Sequence, residues 1–155
     1  MTEDVGDLVA AHPLFSGVDF DVAALVGGCS HNVAVATGER LLEEGEPATT
    51  LYLLRRGHVA LELHEPGHVP LVIERIGPGE ALGWSWMFPP YRWHFDARAL
   101  EPVGAIAIDA ECLRNKAESD PVFGYLLMKR LAAVVLDRLQ STRVRLLGAY
   151  NRDVP

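Results

Sequence analysis

TGERLLEEGEPATTLYLLRRGHVALEL, residues Thr37 to Leu63, is the stretch that decides the fold. Its apolar residues come in short runs separated by turn residues. Thr37-Gly38-Glu39 reads as a turn, Arg40-Leu41-Leu42 as a short strand and Glu44-Gly45-Glu46-Pro47 as a second turn. Leu51 to Leu54 reads as strand, Arg55-Arg56-Gly57 as a hairpin connection, and Val59, Leu61 and Leu63 alternate with other residues. Period-two runs bounded by Gly and Pro are strands joined by tight turns.

The same pattern continues on both sides. Upstream, Val33 and Val35 alternate with small or polar neighbours. Downstream, Val69, Leu71 and Ile73 alternate between Pro66-Gly67 and Gly77-Pro78-Gly79. Phe95, Ala97 and Ala99 share one face opposite Asp96 and Arg98, and Val103 to Ile108 reads as a last strand. The expectation is a mainly β chain with flanking helices, built as an eight-stranded antiparallel β-roll or jelly roll.

Helical signals lie at the two ends. Asp4 to Ala11 and Phe20 to Gly27 read as short helices, the second closed by Gly27-Gly28. Ala110 to Glu118 reads as another, and Asp120-Pro121 as an N-cap with proline in the first turn, opening a helix to about Tyr150. At roughly 45 Å that helix outruns a small barrel. Two apolar stripes run along it. Phe123, Leu127, Leu131 and Val134 suit packing on the roll; Ala132, Val135, Leu139, Thr142, Leu146 and Ala149, spaced three and four apart, suit a parallel homodimer seam. The alternative is one wide core-facing surface. The expected organisation is a single domain over 1–155, with N-terminal helices in 1–29, the roll in 30–108 and C-terminal helices in 109–150.

Composition narrows the function classes. A net charge of −7 argues against an extended nucleic-acid surface, which needs clustered Lys and Arg. No apolar run approaches the roughly 18 residues of a membrane span, and the N-terminus lacks a secretion-signal pattern. Cys29 and Cys112 read as too few and too isolated for a disulfide framework or a zinc site, which places the chain in a reducing cytoplasm.

Half of the chain's aromatic residues, including every tryptophan, fall in Gly83–Phe95, GWSWMFPPYRWHF. As a site, Trp84, Trp86 and Trp93 would line a stacking pocket, with Ser85, Arg92 and His94 as polar contacts. As structure, the aromatics would fill a pocket or present a sticky face to a partner protein.

The run Thr37 to Ala48, followed by Leu51-Tyr52-Leu53-Leu54-Arg55-Arg56-Gly57-His58-Val59, resembles the cyclic nucleotide-binding domain, the sensor module of the catabolite activator protein and of cyclic-nucleotide-dependent kinases and channels. Gly77-Pro78-Gly79-Glu80 and the final helix fall where that family would place them. The resemblance implies a β-roll between short N-terminal helices and a long C-terminal helix that often dimerises. It also implies a phosphate cassette: Gly-Glu, a short helix, then Arg-Ser or Arg-Ala. Backbone N–H groups there cradle the phosphate, the arginine neutralises it and the glutamate bonds the ribose.

On that template Gly83 keeps the glycine and Trp84-Ser85-Trp86-Met87-Phe88 takes the short helix, but Trp84 stands at the glutamate position. Counting back from Arg98-Ala99 puts Trp93-His94 at the Arg-Ser pair, with Arg92 one residue off. Thr142, in Arg138-Leu139-Gln140-Ser141-Thr142, matches the position that contacts the purine. Losing one charge-assisted hydrogen bond costs about 1.5–3 kcal/mol, and a buried phosphate without its cation about 2–5 kcal/mol more. Such losses take a micromolar site to the millimolar range unless Arg92 or Arg98 substitutes.

Three functions follow as expectations. The first is a non-catalytic sensor without a cofactor, binding cyclic AMP, another cyclic nucleotide or a small anionic ligand through Gly83, Trp84, Ser85, Arg92, Trp93, His94 and Thr142. The second is a dimeric protein-interaction module with a degenerate pocket. The third, a cupin-like metalloenzyme, needs a His-x-His pair with a further carboxylate and His, a spacing that His58, His64, His68 and His94 lack. The family's bacterial activators continue into a DNA-reading helix-turn-helix; this sequence ends at Pro155, and no DNA or membrane partner is expected.

Overall fold

The computed structural model describes residues 4–153. Eight antiparallel strands form two four-stranded sheets. One runs β1 (Ser30–Val35), β8 (Val103–Asp109), β3 (Thr50–Arg56), β6 (Ala81–Leu82); the other runs β2 (Arg40–Leu42), β7 (Asp96–Ala99), β4 (Val59–Leu63), β5 (Leu71–Ile76). Five of the six strand pairs join non-consecutive strands, β4–β5 being the exception, as in a roll whose turns carry the chain from one sheet to the other. The alternation seen in the sequence points Leu51, Leu53, Val59, Leu61, Ile106 and Ile108 into one shared core, which excludes water from nearly all of their surface.

Four α-helices flank the roll: α1 (Val5–Ala11), α2 (Phe20–Gly27), α3 (Ala110–Ser119) and α4 (Pro121–Asp153). The Asp120 carboxylate accepts from Phe123 N at 3.2 Å, so the Asp-Pro pair opens α4 as the sequence predicts. The two stripes of α4 separate. Phe123, Leu127 and Leu131 are buried and Val134 packs against the core, whereas Ala132, Val135, Leu139, Thr142, Leu146 and Ala149 are all exposed. The exposed stripe extends one heptad further back, through Met128 to Tyr125. One wide core-facing surface is therefore not what this helix presents.

Three details differ from the sequence expectation, the first being that Arg55 and Arg56, read as a hairpin connection, continue β3, and Gly57 passes the chain to β4 in the other sheet. Val69 precedes β5, which starts at Leu71, and the two-residue β6 had no sequence signature. The cysteine reading is corrected more substantially: Cys29 and Cys112 are joined in a disulfide, with Cα atoms 5.8 Å apart across 83 residues of sequence. Isolation in sequence said nothing about proximity in space, and the pairing removes the cysteine argument for a reducing compartment.

His12 pins the N-terminal helices to the roll. Its Nε2–H donates to the Leu54 carbonyl at 3.1 Å, and its Nδ1 accepts from Leu14 N at 3.2 Å, an arrangement only the neutral ring can make. Burial holds its pKa below the ordinary 6.5. The unfolded chain therefore takes up the proton first as pH falls, so the stabilisation is complete above about 6.5 and is lost below it. We expect the melting temperature to fall between about pH 7 and about pH 5, with His12→Gln flattening the slope; equal slopes in the two proteins would refute the assignment.

Candidate functional site

The site grows out of the end of β6. After Leu82 the chain turns at Gly83 with φ +96°, and Ser85–Met87 makes a single 3-10 turn rather than a longer helix. Trp86 closes that turn back on itself: its Nε1–H donates to the Gly83 carbonyl at 2.9 Å, and the ring is only 1% exposed. From α3, Arg114 donates to the Trp86 carbonyl at 2.6 Å and lies 4.7 Å above the Tyr91 ring. A buried indole and one guanidinium thus hold both arms of the aromatic segment.

The returning arm fixes every remaining direction. Residues 91–93 run antiparallel to 45–48: Ala48 N donates to Tyr91 O at 2.7 Å, Trp93 N to Glu46 O at 3.1 Å and Gly45 N to Trp93 O at 3.0 Å. Extended backbone alternates its side chains, so Trp93 points inward while Arg92 and His94 point outward. Arg92 donates to the Gly45 carbonyl at 2.7 Å on the surface and does not reach the Gly83 turn. Arg98 grips the buried Glu62 from the neighbouring strand through two hydrogen bonds, at 3.0 and 3.3 Å. Neither arginine is free to serve as the cassette cation.

Trp93 takes that place itself. A Cβ built on Gly83 would lie 2.7 Å from the Trp93 Cη2, so the edge of the indole rests directly on the glycine. The surface through which a phosphate would approach the Gly83 backbone is covered by carbon.

The other candidates divide between two places. Trp84, Ser85 and His94 line an apolar groove of about 490 Å³, closed on the far side by Met128, Ala132, Val135 and Leu139 of α4. Thr142 lies beyond that groove on the exposed stripe, with its hydroxyl donating to the Arg138 carbonyl at 2.9 Å. Gly83, Trp84, Ser85 and Trp93 are brought together; Arg92 and Thr142 are not.

One residue that sequence reasoning passed over sits against this cluster. Arg138 is 6% exposed, and its guanidinium carbon lies 5.1 Å from the centre of the Trp84 ring. Its Nη2 donates to the Ala81 carbonyl, while Nη1 is buried with no hydrogen-bond partner, alone among the buried side-chain nitrogens and oxygens of the described residues. Glu74 is the nearest carboxylate, 4.0 Å from Nε. Burial lowers the pKa of Arg138 and raises that of Glu74, so desolvation outweighs their mutual attraction on both sides. The signal was available in Arg138-Leu139-Gln140-Ser141-Thr142, where Arg138 falls on the core stripe one turn before Thr142.

Among the described residues no group of three His, Cys, Asp or Glu side chains is placed to hold a metal ion, and no helix is long and apolar enough to cross a membrane.

Comparison with known proteins agrees with the fold. The chain is 26% identical over 149 residues to the CRP-like cAMP-activated global transcriptional regulator of Mycobacterium tuberculosis, covering 96% of this chain and 65% of the regulator. It therefore spans less than two thirds of that relative's length. A Geobacter metallireducens protein assigned to cyclic nucleotide binding superposes with a TM-score of 0.78 at 27% identity, over 90% of this chain and 99% of that one. The Thermus thermophilus catabolite activator protein shares the fold, with a TM-score of 0.69 at 24% identity, over 86% of this chain and 61% of that one. The cyclic nucleotide-binding domain model matches residues 32–120, more than half of the chain. With its eight-stranded β-roll and its long α4, this chain belongs to the cyclic nucleotide-binding domain family.

Proposed function

We propose that the chain is a non-catalytic regulatory module that takes a cyclic nucleotide, or another small ring-bearing anion, between the aromatic cassette and α4. Trp84 supplies the stacking face. Arg138 stacks on Trp84 from the neighbouring cavity lined by Glu80, Ala81 and Asp137 and does not itself line the groove; it supplies the cation once the indole shifts. The observation that carries this reading is the buried, unpartnered Nη1 of Arg138 beside an indole. A desolvated donor with no acceptor is costly, and an anionic ligand would satisfy it. The relative from Mycobacterium tuberculosis, named for its activation by cAMP, makes cyclic AMP the first ligand to try.

Trp84, Trp86 and Trp93 all lie in the cassette, so intrinsic fluorescence is a local probe. We expect cyclic AMP, cyclic GMP or a cyclic dinucleotide to change the emission with an affinity on the order of 1 mM. If none moves emission or melting temperature up to about ten times that concentration, ligand sensing is refuted for this class.

The seating of Trp93 on Gly83 favours a second reading, in which the pocket is plugged and the module works by docking to a partner protein. Both readings include a homodimer through the exposed stripe of α4, where Leu139 stands central. Leu139→Glu would place two like charges across that seam and raise the dimer dissociation constant by at least about tenfold, read by sedimentation equilibrium. A wild type that stays monomeric at about 100 μM removes the dimer from both readings.

A further inference from the structure

The disulfide sits where the N-terminal helices meet α3, and α3 is the helix that grips the cassette. Cys29 follows α2, and its carbonyl accepts from Asp109 N at 2.8 Å; the Asp109 carboxylate in turn accepts from Cys112 N at 2.8 Å, capping α3. Three links thus converge on the first turn of α3, and the Cys29–Cys112 bond is the covalent one. Two residues further along α3, Arg114 holds the Trp86 carbonyl and covers the Tyr91 ring. Any rotation of α3 is passed directly to the aromatic segment.

We propose that Cys29–Cys112 is a redox-sensitive clamp on the cassette: oxidised, it locks α3 and keeps the Trp86–Tyr91 segment closed; reduced, it frees α3 and loosens that segment. Cys29 is buried while Cys112 is half-buried, so a small thiolate reaches the Cys112 sulfur first. Attack there forms a mixed disulfide on Cys112 and expels Cys29 as a thiolate, which takes up a proton. A second thiolate attacks the small molecule's sulfur in that mixed disulfide, releasing the symmetrical small disulfide and the Cys112 thiol. The couple that drives the exchange in either direction is a low-molecular-weight thiol and its disulfide, such as glutathione. The chain has two cysteines, so no internal thiol competes for either sulfur.

The test equilibrates the full chain with reduced or oxidised glutathione and reads three quantities: free thiols by mass after alkylation, melting temperature, and tryptophan emission with acrylamide quenching. Closing so long a loop should raise the melting temperature of the oxidised form by about 5–15 °C. Reduction should shift the emission to the red and raise quenching by about twofold, since a released segment opens locally. The double variant Cys29→Ser with Cys112→Ser should match the reduced wild type under either condition. If it does not fold, the chemically reduced wild type carries the comparison. Arg114→Gln should uncouple the two readouts, keeping the melting shift and losing the fluorescence change. Thiols that stay free in oxidised glutathione overturn the proposal. So does a bond that shifts the melting temperature but leaves emission and quenching unchanged, since it would then be a staple only. A reduced chain that unfolds outright overturns it as well.

Discussion

Trp93→Ala lowers the unfolding free energy by about 3–5 kcal/mol, the usual cost of emptying the space of a buried indole. The ring is 5% exposed and part of the main core, so little of that loss is recovered by solvation. The same substitution removes the carbon surface resting on Gly83. If the indole is a plug, the variant binds cyclic AMP more tightly than the wild type although it is less stable. Trp93→Arg sharpens the test, because it puts a guanidinium where the family keeps one. Its empty form would be destabilised by an unpaired buried cation, and ligand would restore the melting temperature by mass action. Denaturant titration and fluorescence titration on the three proteins check both halves. An unfolding free energy that drops by less than about 1 kcal/mol in Trp93→Ala shows that the indole is not packed. Unchanged affinity in both variants would mean that the plug is not what limits binding, and the docking reading would lose the observation that favours it.

The contrast between Trp93 and its neighbours shows what was legible in the sequence. The strands around Thr37–Leu63 announce themselves locally, because glycine turns and period-two alternation are written within a few residues of one another. The α4 stripes were legible for the same reason, although the seam was read only from Ala132 and the exposed face continues back to Tyr125. The direction of Trp93 was not, because it is set by pairing with residues 45–48, more than forty positions away. Only that pairing places Arg92 on the surface; the sequence left the register of the loop open. The pairing of Cys29 with Cys112 escaped for a related reason, since loop closure over 83 residues leaves no local mark. Arg138 was passed over because an arginine on a helix is usually solvated, and burial is a property of the assembled fold.

Arg138→Met separates stability from binding. In the wild type the guanidinium is buried, stacks on Trp84 and bonds the Ala81 carbonyl, yet one nitrogen has no acceptor and the nearest carboxylate is 4.0 Å away. A methionine fills much the same volume without a charge to desolvate. The single variant leaves Glu74 half-orphaned in a place where burial already raises its pKa, so the companion change Glu74→Gln is needed for a clean comparison. Replacing a poorly compensated buried pair in this way is neutral or stabilising by about 1–4 kcal/mol. Ligand affinity should move the other way, by about thirtyfold or more, because a desolvated cation facing an anion contributes about 2–5 kcal/mol. Chemical denaturation of Arg138→Met with Glu74→Gln, and cyclic AMP titration of the same protein, read the two effects separately. A double variant that keeps wild-type affinity would remove Arg138 from the site, and one that loses more than about 2 kcal/mol of stability would make Arg138 a structural residue. A gain in stability with a loss of binding would identify Arg138 as a residue held in the fold at a cost, for the ligand it meets.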